Sequence, residues 1–210
     1  MSEQTENLIA SLAQMATPAR QAASPLRLFA KWLAVAAVYA GIILSFGGLR
    51  PDLAFKLHTP LFAAEVAALA LLVLTSGLAA TALAFPDLHG KRWLLFTPLL
   101  PLLVFLLVLF VEWQGDTAPR PVHGIECLLC IAGYTALPAL FMLYLLRKQA
   151  SIHRGLAGAV ALVASASLGC FAIRLSEQTD SMSHLLQWHY LPMLGFAGLG
   201  VLLGSKLLKW

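Results

Sequence analysis

Residues 124–148 read GIECLLCIAGYTALPALFMLYLLRK, and the twenty from Cys127 to Leu146 carry no formal charge. At about 1.5 Å per residue, a helix of that length crosses a hydrocarbon core of about 30 Å. Glu126 and Arg147 bracket the run. Cys127 and Cys130 stand three apart on one helical face, and Tyr134 continues that face at the next turn. Pro138 follows one turn deeper, where it removes a backbone hydrogen bond. The stretch therefore predicts a transmembrane helix with a polar, breakable stripe entering the bilayer from one side.

The rest of the chain has the same character. Of its 210 residues 60% are hydrophobic and 11% charged, with a mean hydropathy of +0.80. That is far too apolar for a soluble domain and fits a compact polytopic helical membrane protein. The lipid bilayer is then the first partner. A net charge of +4 would suggest nucleic acid in a soluble protein, but in a membrane protein basic residues first report orientation. No direct nucleic-acid partner is expected. The first 27 residues are polar and lack an apolar core followed by a small-residue cleavage site, so no cleavable signal peptide is expected.

The predicted fold is all-α: a bundle of six transmembrane helices over residues 28–210, behind a short amphipathic N-terminal segment, residues 1–27. The spans fall at about 28–47, 61–84, 94–111, 127–146, 155–173 and 188–203. Within residues 4–16, Leu8, Ile9, Leu12, Met15 and Ala16 share one helical face, and Glu3, Glu6 and Gln14 lie largely off it. Such a helix is too short to be stable alone. It either lies on headgroups, frays, or folds against a partner. Pro18 and Pro25 break the chain into a tether over Thr17–Ser24. Glu65 lies about one turn inside the second span, either as a functional carboxylate or as a snorkelling side chain. Thr97, Pro98 and Pro101 predict a kink or loose first turn in the third span. The fifth span is rich in small residues, Gly155, Gly158, Ala161, Ser165 and Gly169. The sixth carries Gly195, Gly198, Gly200 and Gly204, a spacing that permits close helix contact.

Six spans place both termini on one side. That side collects Arg20, Arg27, Lys31, Lys91, Arg92, Arg147, Lys148, Arg154, Lys206 and Lys209, ten of the fourteen basic residues. The other side has Arg50, Lys56, Arg120 and Arg174. The positive-inside rule makes the first side cytoplasmic. Cys127, Cys130 and Cys170 then face the outer, oxidising side.

Those thiols offer a redox dithiol at Cys127 and Cys130, or a Cys130 to Cys170 disulfide across two spans. They are also compatible with small apolar packing residues. His58, His123, His184, His189, Met182 and Met193 fall on the same side and would suit copper or zinc. Their spacing matches no compact site, so no metal and no cofactor is assigned. Two inward-facing histidines deep in the bundle, as haem would need, are missing. No phosphate-cradling loop, nucleophile with base, or internal repeat stands out, so an enzyme is not expected. A membrane thiol/disulfide oxidoreductase linked to quinone and using Cys127 and Cys130 is the alternative, although only one further cysteine exists to pass electrons on. A small transporter or assembly subunit using Glu65 is a third possibility.

The order and spacing of four stretches resemble the NrsF family, negative regulators of sigma-F type, which are six-span anti-sigma factors of the bacterial inner membrane. The stretches are NLIASLAQMATPARQAASPLRLFAKWL, GIECLLCIAGYTALPALFMLYLLRK, GLAGAVALVASASLGCF and WHYLPMLGFAGLGVLLGSKLLKW. The resemblance implies that the cytoplasmic N-terminal segment binds an extracytoplasmic-function sigma factor. The docking face is then expected at Leu8, Ile9, Leu12 and Met15. It also implies that outward-facing cysteines, here Cys127, Cys130 and Cys170, sense oxidative or metal stress and trigger release. In the family pattern one cysteine opens the fourth span and a second lies just beyond the fifth. Here the first position is doubled, Cys170 sits a turn early, and Arg174-Leu-Ser-Glu-Gln follows without cysteine.

Overall fold

The computed structural model describes residues 3–15, 24–85, 92–115, 124–149 and 151–209. Residues 17–23 of the predicted tether Thr17–Ser24, residues 86–91 and residues 116–123, with His123, lie outside them. Among the described residues all regular structure is helical. Six helices are long and apolar enough to cross a membrane: Pro25–Gly47, Pro60–Leu83, Arg92–Gly115, Ile125–Arg147, Arg154–Ser176 and Met182–Leu207.

The N-terminal helix α1 (Glu3–Met15) precedes the first span, α2 (Pro25–Gly47). Ser24 caps α2 by accepting a hydrogen bond from the Arg27 N–H at 3.3 Å, and Pro25 occupies the first turn, where its missing N–H costs nothing. Gly48 ends it with φ 76°, a left-handed conformation that lets its N–H return to the Leu44 carbonyl. Only one stripe of α2 is buried, Leu28, Trp32, Ala36 and Ala40 at four-residue intervals. The other faces are left for lipid. Trp32 Nε1 donates to the Pro138 carbonyl of α6 (Ile125–Arg147) at 3.0 Å, and Tyr39 donates to the Gly133 carbonyl at 3.0 Å. The Trp32 ring lies against Gly77 of α4 (Pro60–Leu83), where a Cβ would collide with it.

The central helix is α7 (Arg154–Ser176), packed against α4, α6 and α9 (Leu191–Leu207). Its contact with α9 is made by backbones: a Cβ on Gly158 would strike Gly200 and Gly204, and a Cβ on either of those would strike the backbone of α7. The small-residue pattern is here a true packing seam, since glycines let dispersion contacts form along two main chains. The loose start predicted for the third span is also present. A 3-10 segment, Arg92–Phe96, precedes α5 (Leu99–Gly115), because Pro98 and Pro101 supply no N–H to a regular first turn.

Two predicted connections are corrected. The loop over residues 48–60 contains a short helix, α3 (Leu53–Leu57). The predicted loop Arg174–Gln187 shrinks to Glu177–Ser181, because α7 continues to Ser176 and a new turn, α8 (Met182–His184), starts the last span. This span runs through a π-helical segment, Leu185–Tyr190, into α9. Charge at Arg174 and the polar side chains of His184 and His189 mark a span end in sequence, yet all three are buried in the bundle.

Candidate functional site

The chain crosses back and forth, so the α2–α4 connection, the start of α6 and the α7–α8 connection gather at one end of the bundle, opposite the start of α2. Two polar clusters meet there. In the first, Arg174 donates from Nε and Nη2 to both oxygens of Glu65, at 3.0 and 2.8 Å, and from Nη1 to Asp180 at 3.0 Å. The Tyr190 hydroxyl donates to Glu65 as well. Arg50 grips Asp52 at 2.7 and 2.9 Å and Asp180 at 3.1 and 3.0 Å, and Lys56 reaches Asp180 at 2.6 Å. Both guanidinium groups also lie over the Phe62 ring, 5.2 and 4.8 Å from its centroid. Three cations, Arg50, Lys56 and Arg174, thus balance three anions, Asp52, Glu65 and Asp180, so the cluster is neutral. That neutrality is what makes its burial tolerable.

The extramembrane members feel these partners. The Asp52 and Asp180 hydrogen bonds hold the Arg50 guanidinium well above its ordinary range, and Arg50 in turn draws Asp52 below the usual carboxylate range. Burial pushes Asp180 upward, but hydrogen bonds from Arg50, Lys56 and Arg174 win and hold it far below that range.

In the second cluster four donor groups from three places in the chain converge. Cys127 is in the first turn of α6, Glu177 directly follows α7, His184 ends α8 and His189 is in the π segment. Cys127 Sγ lies 3.5 Å from Glu177 Oε2 and 3.5 Å from His184 Nε2. Glu177 Oε1 is 3.6 Å from His184 Nε2, and Oε2 is 3.2 Å from His189 Nε2. His184 and His189 are five residues apart, which in a regular α-helix would turn them about 140° away from each other. The wider π pairing, with the Leu191 N–H donating to the Leu186 carbonyl, brings them nearly above one another. Pro192 explains the widening, because it has no N–H for the Trp188 carbonyl and its ring crowds that carbonyl. Burial would raise Glu177, yet the adjacent His189 imidazole with Thr179 and Cys127 holds it down at about 2. His189 is fully buried, and neither of its ring nitrogens makes a hydrogen bond of good geometry. An unpaired buried polar group costs about 1–3 kcal/mol.

Residues 12–210, nearly the whole chain, match the family described as NrsF, negative regulator of sigma F. The chain belongs to the NrsF family. No curated protein and no solved structure matches it. Membership makes it a negative regulator of a sigma factor, an anti-sigma factor, rather than a protein named for catalysis.

In this NrsF-family chain the predicted site residues fall apart into distinct environments. All three cysteines are free thiols: Cys130 is exposed, Cys127 half-buried in the four-donor cluster, and Cys170 buried with its thiol donating to the His189 carbonyl at 3.2 Å. Leu8, Ile9 and Leu12 are exposed on α1, and Met15 closes that helix. The family match begins at residue 12, so Leu12 and Met15 lie inside it and Leu8 and Ile9 ahead of it. Glu65 is not a snorkelling side chain: it is wholly buried and turned inward to Arg174 and Tyr190. Of the histidines and methionines grouped from sequence that are among the described residues, only His184 and His189 join Cys127. His58 is exposed, whereas Met182 and Met193 pack in the apolar cluster around Cys170. Glu177 and Arg174 are the members that sequence reasoning missed. Their signal was there, two charges three apart and a turn beyond Cys170, but they read as loop.

Proposed function

We propose that this chain is an anti-sigma factor embedded in the bacterial inner membrane with both termini cytoplasmic. Residues 1–27 hold an extracytoplasmic-function sigma factor through Leu8, Ile9, Leu12 and Met15. Oxidative or metal stress on the outer side acts at Cys127, Cys130 and Cys170 to release it. The observation that carries this reading is the apolar face of α1, with Leu8, Ile9 and Leu12 exposed to 58%, 52% and 58%. A short amphipathic helix with such a face gains its stability from what it docks on.

Release requires only a modest bias. A disulfide commonly contributes about 2–4 kcal/mol, and about 1.4 kcal/mol already shifts an equilibrium tenfold. Chemistry at the far end of α6 and α7 could therefore set the holding of a partner at the near end through rigid helices.

The test is a pull-down from detergent-solubilised membranes, comparing the full chain with one lacking residues 1–24 and with Leu8→Asp/Leu12→Asp. The expected outcome is capture of a sigma factor by the full chain alone, with the bundle still folded in both variants. Equal capture by all three would remove α1 as the docking element, and capture by none would remove the proposal.

A further inference from the structure

We propose that Cys127, Glu177, His184 and His189 bind one divalent metal ion of the zinc class. The four ligand atoms already lie within 4.8 Å of one another. Tetrahedral zinc, with bonds of about 2.0–2.3 Å, needs its donors about 3.3–3.6 Å apart. With Glu177 Oε2 as the donor oxygen, three of the six separations are 3.2, 3.5 and 3.5 Å. A metal could therefore enter with small side-chain shifts and no movement of helices.

Charge and donor chemistry point the same way. A thiolate and a carboxylate supply two negative charges and the imidazoles none, so a divalent ion gives a neutral complex, the form best tolerated in a low-dielectric bundle. Among the described residues no Lys or Arg pairs with Glu177, whereas the neighbouring ion-pair cluster uses its three cations on other carboxylates. His189 is a fully buried imidazole whose Nε2 stands 3.2 Å from this carboxylate, out of good hydrogen-bond alignment, and whose Nδ1 has no hydrogen-bond partner. One sulfur, two nitrogens and one oxygen suit zinc, while magnesium and calcium prefer oxygen alone and copper(I) prefers sulfur. Four protein donors close the coordination sphere, so the site holds an ion and offers no open position for hydrolysis. As the metal–sulfur bond forms, the Cys127 thiol gives its proton to water. The bound ion would tie the start of α6, the end of α7 and the start of the last span. That the ion is a signal for sigma release rests on the anti-sigma reading; the site itself does not.

The test uses the purified, reduced full chain in detergent, titrated with cobalt(II) and then zinc(II). One cobalt per chain with a thiolate charge-transfer band and intense four-coordinate d–d absorption is expected, and zinc should abolish both. Cys127→Ser should remove the charge-transfer band. Glu177→Gln and His189→Ala should each weaken binding by roughly tenfold or more, while Cys130→Ser changes nothing. Because those variants could misfold, X-ray absorption on the zinc-loaded natural chain provides the independent measurement, expected to show one sulfur at about 2.3 Å with nitrogen and oxygen at about 2.0–2.2 Å. A six-coordinate spectrum, or a sulfur-free shell, overturns the site even if a sigma factor is still captured in the pull-down. A four-coordinate spectrum with capture unaffected by zinc keeps the site and overturns only its signalling role.

Discussion

Arg174 is the residue on which the polar end of the bundle depends. It supplies two hydrogen bonds to a carboxylate, Glu65, that has no exposure to solvent. Removing one partner of such a pair strands the other charge, at a cost of about 3–5 kcal/mol. Arg174→Met should therefore melt far lower in detergent than the natural chain, and Glu65→Leu/Arg174→Met should recover most of the loss. Equal melting of the single and double variants would contradict the pairing. Asp180 gives a pH test. Its partners hold its pKa below that of the unfolded chain, so the unfolded state binds more protons on acidification. The stabilisation is thus full above about pH 4 and is lost as pH falls below it. Thermal unfolding from pH 6 to pH 3 should drop more steeply for the natural chain than for Asp180→Asn; parallel curves would deny Asp180 that role. Glu65 was legible in sequence as a carboxylate inside a span, but its partner was not. A charge near the end of an apolar run looks the same whether it ends the helix or turns inward, and only the neighbouring helix decides.

At the scale of elements, apolar runs of about twenty residues announce themselves, which is why the six spans were legible and only their ends moved. The glycine seam was legible too, because Gly158, Gly200 and Gly204 are where two backbones meet. Gly158→Val would put side-chain atoms into the α9 backbone, and overpacking of this kind costs about 1–3 kcal/mol. A lower melting temperature for Gly158→Val than for Gly195→Val checks this, since a Cβ at Gly195 meets nothing within 4 Å. The histidine pair was illegible for a geometric reason. Spacing arguments assume 3.6 residues per turn, and His184 and His189 meet only because the helix widens ahead of Pro192. Pro192→Ala restores the missing N–H, so the segment should relax toward a regular helix and His189 should rotate off the cluster. The expected outcome is weaker cobalt binding in a chain that melts no lower than the natural one. Undiminished binding would mean that packing, not the proline, sets the π turn.

For the whole molecule, the question is which end faces which compartment, because the cysteines can meet an oxidant outside the cell only if the far end is outward. The positive-inside rule counts Lys and Arg, not net charge, and the ratio of ten to four is what the proposed placement of α1 inside rests on. Three of those four, Arg50, Lys56 and Arg174, are committed to Asp52, Asp180 and Glu65, so their presence at the far end has its own structural cause. In a background with all three natural cysteines changed to serine, His58→Cys reports the far end and Ser205→Cys the near end; both positions are exposed. A membrane-impermeant maleimide should label His58→Cys on intact spheroplasts and Ser205→Cys only after lysis. The reverse pattern would put Cys127, Cys130 and Cys170 in the reducing cytoplasm and α1 outside, where no sigma factor exists to be held. One labelling experiment thus bears on both halves of the mechanism, since a partner inside and a stimulus outside require the same orientation.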